Sequence, residues 1–266
     1  MDGFSRTLVT RGYELDARRR VGPGTLARYF EDARWGAIAD RATGLSTLFE
    51  EGRKLVMRAQ TIMQPTRIRA HETLTLSLEV AHVGTSSLRF LQTARRGDEV
   101  VAENEAVAVV LDRAGKPTRA PDRVRTLATG RAAGALAPLG DVLPQPAYAC
   151  DVYVRPSDLD TLQHVNQSRY VDFIDDVFQH ALAQGAYGPG TPARVRTLTV
   201  EYRRETRLDP AVGPASRLVV ETFGEGEATF GFALRDPVDG GLRARGKIVA
   251  AHEASTTAGA DRDPGL

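Results

Sequence analysis

In the stretch VRPSDLDTLQHVNQSRYVDF, residues 154–173, two acids (Asp158 and Asp160), one of the chain's five histidines (His164) and Asn166 fall within a dozen positions, and a helical pattern follows directly. An imidazole beside a carboxylate can move a proton to or from water or a substrate. Asp160 and His164 lie in the turn that leads into a helix starting near Asn166 or Gln167. A helix start presents N–H groups without intrahelical partners and a partial positive charge, which can polarise a carbonyl and hold an oxyanion. A further carboxylate, Glu205, ends the strand-like LTVEYRRE and would arrive beside that helix start. Plain structural roles stay open for each residue. Asp160 can cap its turn, Asn166 can be a helix N-cap, His164 can be a surface residue, and Glu205 can pair with Arg203, Arg204 or Arg207.

The elements that must position these residues occur twice. Glu14–Asp16 reappears as Asp158–Asp160, 144 positions later. The same offset carries Leu26, Tyr29, Phe30, Ala33 and Ala37 onto Tyr170, Phe173, Ile174, Val177 and Ala181, each set the apolar stripe of one helix. Further on, Thr66–Ile68 reads like Thr206–Leu208, an offset of 140, which sets Glu205 against Pro65. After each helix the period changes from 3.6 to 2, as in TLTLSLEV (73–80), TLTVEY (197–202) and TFGFAL (229–234). Such alternation belongs to half-buried antiparallel strands. Each half reads strand, long helix, then about four strands, an α+β plan in which a curved sheet wraps around the helix. The halves differ where chemistry would sit: His164 faces Arg20 in the alignment, Asn166 faces Gly22, and only Asp160 keeps its counterpart, Asp16.

Residues 128–147, rich in Ala, Gly and Pro, read as a linker between a first domain (1–127) and a second (148–253), and residues 254–266 as a disordered tail. Thirty-five basic residues balance thirty-four acidic ones, so net charge gives no ground to expect nucleic acid or an anionic membrane as partner. The single cysteine, Cys150, excludes an internal disulfide and any multi-cysteine zinc site, as expected in a reducing compartment. No apolar run has the length of a membrane span, and the expectation is a cytoplasmic protein.

SDLDTLQHVNQSRYVDF followed by LTVEYRRET resembles the second half of the acyl-acyl-carrier-protein thioesterases, tandem hotdog enzymes, and YELDARRRVGPGTLARYFEDA resembles their first half more loosely. The resemblance implies two tandem hotdog domains, each an antiparallel sheet around a long central helix. It further implies hydrolysis of acyl thioesters of acyl carrier protein or coenzyme A, with no cofactor and no metal. Position by position it assigns catalysis to Asp160, His164 and Glu205, while oxyanion binding at Asn166 and Gln167 rests on the helix start itself. It places an acyl pocket in the first half, near Trp35, Met57 and Met63. Two departures stand out. Thr206 replaces the family's cysteine after the glutamate, which argues against a cysteine nucleophile. Leu162 replaces an asparagine and is expected to line the site and dry the surroundings of His164 and Glu205. A non-catalytic acyl-binding protein remains an alternative. A hydratase or dehydratase ranks lower, because DLDTLQH lacks the Asn and Pro of that family's Asp-x-Asn-Pro-x-His. A homodimer of double hotdogs stays open.

Overall fold

The computed structural model describes residues 4–132, 145–208 and 216–252. Its first half runs β1 (Phe4–Val9), α1 (Pro23–Ala39), β2 (Lys54–Met63), β3 (Thr73–Val83), β4 (Ser87–Arg96), β5 (Glu99–Leu111) and the single-turn α2 (Asp122–Arg125). The second half runs β6 (Tyr148–Tyr153), α3 (Gln167–Ala183), β7 (Arg194–Tyr202), β8 (Arg217–Gly224), β9 (Thr229–Arg235) and β10 (Leu242–Ala251). The ten strands form one sheet in the order β1-β3-β4-β5-β2-β7-β10-β9-β8-β6. The pattern is the same read from either end, and every pairing is antiparallel. The halves meet where β2 pairs with β7, from Ala59 opposite Glu201 to Met63 opposite Thr197.

Both helices are buried along the stripes read from the sequence. Leu26, Phe30, Ala33 and Ala37 of α1 are fully enclosed, as are Ile174 and Ala181 of α3, with Tyr170 and Phe173 nearly so. Each large side chain so enclosed contributes about 1.5–3 kcal/mol, so the stripes hold each helix against its sheet. Pro23 begins α1 with a fixed φ suited to a first turn. Asn166 caps α3, its side-chain oxygen accepting from the Ser168 N–H. The two helices cross where the Arg28 guanidinium meets the Asp172 carboxylate at 2.5 Å.

The repeat extends to single hydrogen bonds. One-residue bridges join Leu15 to Val21 and Leu159 to Val165, and the residues in left-handed conformation between them are Arg19 and Gln163. Asp16 Oδ1 accepts from the N–H groups of Arg18 and Arg20, and Asp160 Oδ1 from those of Leu162 and His164.

Downstream, the register differs from the letter match of Thr66–Ile68 with Thr206–Leu208. The Val21 N–H donates to the Ile68 carbonyl, while the Val165 N–H donates to that of Thr206. The irregular residues Arg58 of β2 and Arg196 of β7 also correspond. Both relations give an offset of 138 rather than 140. The structural counterpart of Glu205 is therefore Arg67, not Pro65. Three similar letters suggested the larger offset, alternation allows both, and the backbone pairing sets buried Ile68 on buried Thr206.

Of the expected linker, Thr129 and Gly130 pack back on the first half, donating to the carbonyls of Val80 and Ala81. Residues 133–144 and the expected tail lie outside the described residues. Among the described residues no helix is long and apolar enough to cross a membrane.

Candidate active site

One short stretch of backbone pairing sets the site. The segment His164–Val165 runs antiparallel to Thr206–Arg207, which brings His164 beside Glu205. His164 Nε2 lies 3.1 Å from Glu205 Oε2, at ion-pair distance but without the alignment of a hydrogen bond. The carboxylate is 54% exposed, so water reaches Glu205, while the imidazole is 20% exposed and its Nε2 is buried. The other carboxylate oxygen, Oε1, accepts from Arg207 Nε at 3.0 Å and lies 2.7 Å from Nη2. Arg207 thus pins one oxygen and leaves the other facing the imidazole. The arginine pairing that sequence left open for Glu205 and the contact with His164 are both present.

Asp160 acts on the backbone. It accepts from the N–H groups of Leu162 at 2.8 Å and His164 at 3.1 Å, closing the turn in which Gln163 has φ +62°. No hydrogen bond from Asp160 to the imidazole is among its contacts. The residue positions His164 through the turn, as Asp16 positions Arg20 in the other half.

At the start of α3, Asn166 spends its side chain on structure: Oδ1 accepts from the Ser168 N–H at 2.8 Å and the Ser168 hydroxyl at 2.6 Å. Its Nδ2 donates to Glu31 Oε1 at 2.9 Å, a carboxylate of α1 from the first half. The side chain of Asn166 takes the Ser168 N–H and not that of Gln167, the first residue of α3. The Gln167 carbonyl accepts from the Tyr202 hydroxyl at 3.1 Å, and that hydroxyl accepts from Gln60 Nε2 at 2.7 Å. Thr206 accepts from the Tyr170 hydroxyl at 2.8 Å. Burial pushes the Tyr170 phenol up to about 12 and the Tyr202 phenol higher still, so both act as neutral hydrogen-bonding groups.

The expected substrate residues divide. Trp35 is 52% exposed and stacks on Phe49, ring centroids 5.6 Å apart, one helical turn beyond Glu31. Met57 is half-buried and packs against the core of the first half. Met63 is brought to neither place. Gln60, Ile62 and Gln64 face the helices, and strand alternation turns Met63 to the opposite face of the sheet. Leu162 is 52% exposed on its turn, so the expected drying of His164 and Glu205 does not come from this side chain. The sequence reading missed Glu31, Tyr202 and Gln60. A signal for Glu31 existed: its counterpart at the same offset is Asp175, another acid amid an apolar stripe.

Asp175 occupies the corresponding place in the other half, near Arg20 and the start of α1, where Arg67 and Arg194 also line a narrow cleft. Burial pushes the Asp175 carboxyl up to about 6, with Asp176 and Asp16 adding to the effect and Gln179 and Arg20 opposing it. A carboxyl raised in the folded state contributes stability below its unfolded value, near 4, and loses it as pH rises through about 6. Asp175→Asn should therefore gain on the wild type across pH 4 to 6, reaching about 2 kcal/mol above that range after allowance for its partial exposure. Urea unfolding at a series of pH values measures the difference. A constant difference would show that Asp175 keeps its ordinary affinity for protons.

Among the described residues, no group of three or more His, Cys, Asp or Glu side chains could hold a metal ion. Residues 147–236 match the family model of the acyl-ACP thioesterase C-terminal domain. Among solved structures, an acyl-ACP thioesterase from Bacteroides thetaiotaomicron superposes with a TM-score of 0.76 at 16% identity, covering 93% of this chain and 97% of that one. The 12:0-ACP thioesterase from Umbellularia californica gives 0.75 at 18% identity, covering 94% and 97%. A search of curated proteins finds no match. The segment matched by that family model holds His164 and Glu205, and the chain as a whole has an α+β double-hotdog fold.

Proposed function

We propose that the chain hydrolyses acyl thioesters carried by acyl carrier protein, with Glu205 and His164 activating the attacking water. The observation that carries this reading is the His164–Glu205 contact at the start of α3, inside the segment that the family model matches. In the reaction a water beside Glu205 Oε2 gives up a proton as its oxygen bonds to the thioester carbon. The Gln167 N–H and the positive end of α3 hold the resulting oxyanion. Collapse breaks the carbon–sulfur bond, and the proton passes through His164 Nε2 to the departing sulfur. Free acid and thiol result, with no other reactant. In this reading residues 148–253 perform the chemistry and residues 1–127 shape the acyl pocket, with Trp35 near its mouth.

Thiol release from matched acyl-ACP and acyl-CoA panels tests the reading. The expected result is turnover, faster on the carrier protein. Release from acyl-CoA alone would move the carrier assignment. Hydrated or dehydrated acyl products without thiol would replace hydrolysis with the hydratase chemistry.

A further inference from the structure

Beneath α1, four polar side chains are shut inside the first half. Arg34 is 4% exposed, and Gln60, Gln92 and Asn104 are essentially enclosed. Gln92 Oε1 accepts from Arg34 Nη1 at 2.8 Å and Asn104 Nδ2 at 2.9 Å, while Gln92 Nε2 donates to the Phe30 carbonyl. Among the described residues, Arg34 Nη2, Gln60 Oε1, Asn104 Oδ1 and Gln167 Oε1 are buried without a hydrogen-bond partner. Burial also lowers the Arg34 guanidinium to about 10, against the pull of Glu31 and Tyr202 nearby.

The repeat supplies an internal control. At the register fixed by the strand pairings, the counterparts of Arg34, Gln60, Gln92 and Asn104 are Phe178, Leu198, Phe232 and Gly246. The three with side chains are fully buried. The same fold, at the same four places, is thus filled by ordinary apolar packing in the second half. The polar set is not needed to build the sheet and helix, and buried polar atoms without partners oppose folding. At these four places only the half assigned to the acyl pocket carries polar side chains.

The cluster also connects to the reaction centre. From Gln60 a hydrogen bond runs to the Tyr202 hydroxyl and on to the carbonyl of Gln167, beside the N–H proposed for the oxyanion. On the reading that the first half holds the acyl chain, a chain entering from that point would come first to Gln60, which is buried in the same half as Arg34 and Asn104. An alkyl chain would leave their polar atoms unmatched. A hydroxyl both accepts from a guanidinium N–H and donates to an amide oxygen.

Resting on the thioesterase reading above, we propose that the preferred substrate is a hydroxyacyl thioester, its hydroxyl several carbons from the thioester carbonyl and bound by Arg34, Gln60 and Asn104.

The test compares acyl-ACP substrates of equal length, unsubstituted or hydroxylated at successive carbons, by thiol release. At least one hydroxylated substrate should show kcat/KM about tenfold or more above its alkyl match, the scale on which sites discriminate a hydrogen-bonded group. Gln60→Leu and Asn104→Leu should each bring that ratio toward one, and Arg34→Met should too where it folds. A ratio at or below one for every position in the wild type, or one unchanged in both leucine variants, overturns the proposal. If the wild type releases thiol from neither class, the hydrolysis reading fails and binding decides the pocket. Calorimetry with hydroxyalkyl and alkyl thioethers of pantetheine should then give about tenfold tighter binding of the hydroxylated ligand, and equal affinities overturn it.

Discussion

Replacing His164 or Glu205 by alanine is expected to reduce thioester hydrolysis by roughly a hundredfold or more, the usual scale for losing a general acid–base group. The expectation follows from how the pair is built. Glu205 is held from one side by Arg207, and its free oxygen meets an imidazole fixed by the Asp160 turn. Removing either member leaves the other without a proton partner, so the double variant should be hardly slower than each single one. Arg20→Gln and Arg67→Gln alter the counterparts of the pair in the first half and should leave the chemical step nearly intact. Single-turnover rates on one acyl-ACP, with folding checked by circular dichroism, provide the comparison. Folded alanine variants that hydrolyse at the wild-type rate would remove both residues from the mechanism.

Much of this was legible in the sequence because the repeat is strict where local hydrogen bonding dictates it. The turn needs an acid at 16 and 160 to accept two N–H groups, and the helix needs its stripe, so an offset of 144 survived in the letters. In the strands side chains alternate with period 2 and many residue types fit. There the letters Thr-Arg-Ile and Thr-Arg-Leu suggested an offset two too large, and only backbone pairing corrected it. The register error kept the right face, which is why the strand assignment held while the partner of Glu205 did not.

What sequence did not reveal is long-range. Glu31 reaches Asn166 across 135 positions, and Tyr202 joins Gln60 across 142. Arg34, Gln92 and Asn104 each look unremarkable in their own segments and become a cluster only when β4, β5 and α1 are packed. Met63 is a different failure, since alternation with Gln60, Ile62 and Gln64 already turned it away from the helices. The family resemblance, not the strand pattern, had suggested it for the pocket.

Gly246→Ala is expected to be the most destabilising small substitution in the second half. Gly246 sits mid-strand in β10, paired with Val200 of β7 on one side and Phe232 of β9 on the other. A mid-strand glycine weakens a sheet unless something approaches its Cα closely. Here a Cβ would fall well inside contact distance of the Thr199 carbonyl oxygen and of the Phe232 ring. Phe232 is fully buried, and Thr199 contributes a backbone atom, so neither can swing aside as a surface side chain would. In the first half the counterpart strand carries Asn104, and Gln92 stands where Phe232 does. The glycine and the phenylalanine are therefore one packing solution, and the asparagine and the glutamine are another. Overpacking of this kind costs on the order of 3 kcal/mol. For a chain of this size that lowers Tm by about 6–12 °C. Adding Phe232→Leu should recover part of the loss, because it relieves the ring contact but not the carbonyl, so the double variant should cost less than the sum of the singles. Thermal unfolding of the three variants measures this coupling. A Gly246→Ala protein melting with the wild type would mean that β10 draws away from β7 at little cost, and strict additivity would mean that the ring is not part of the obstruction.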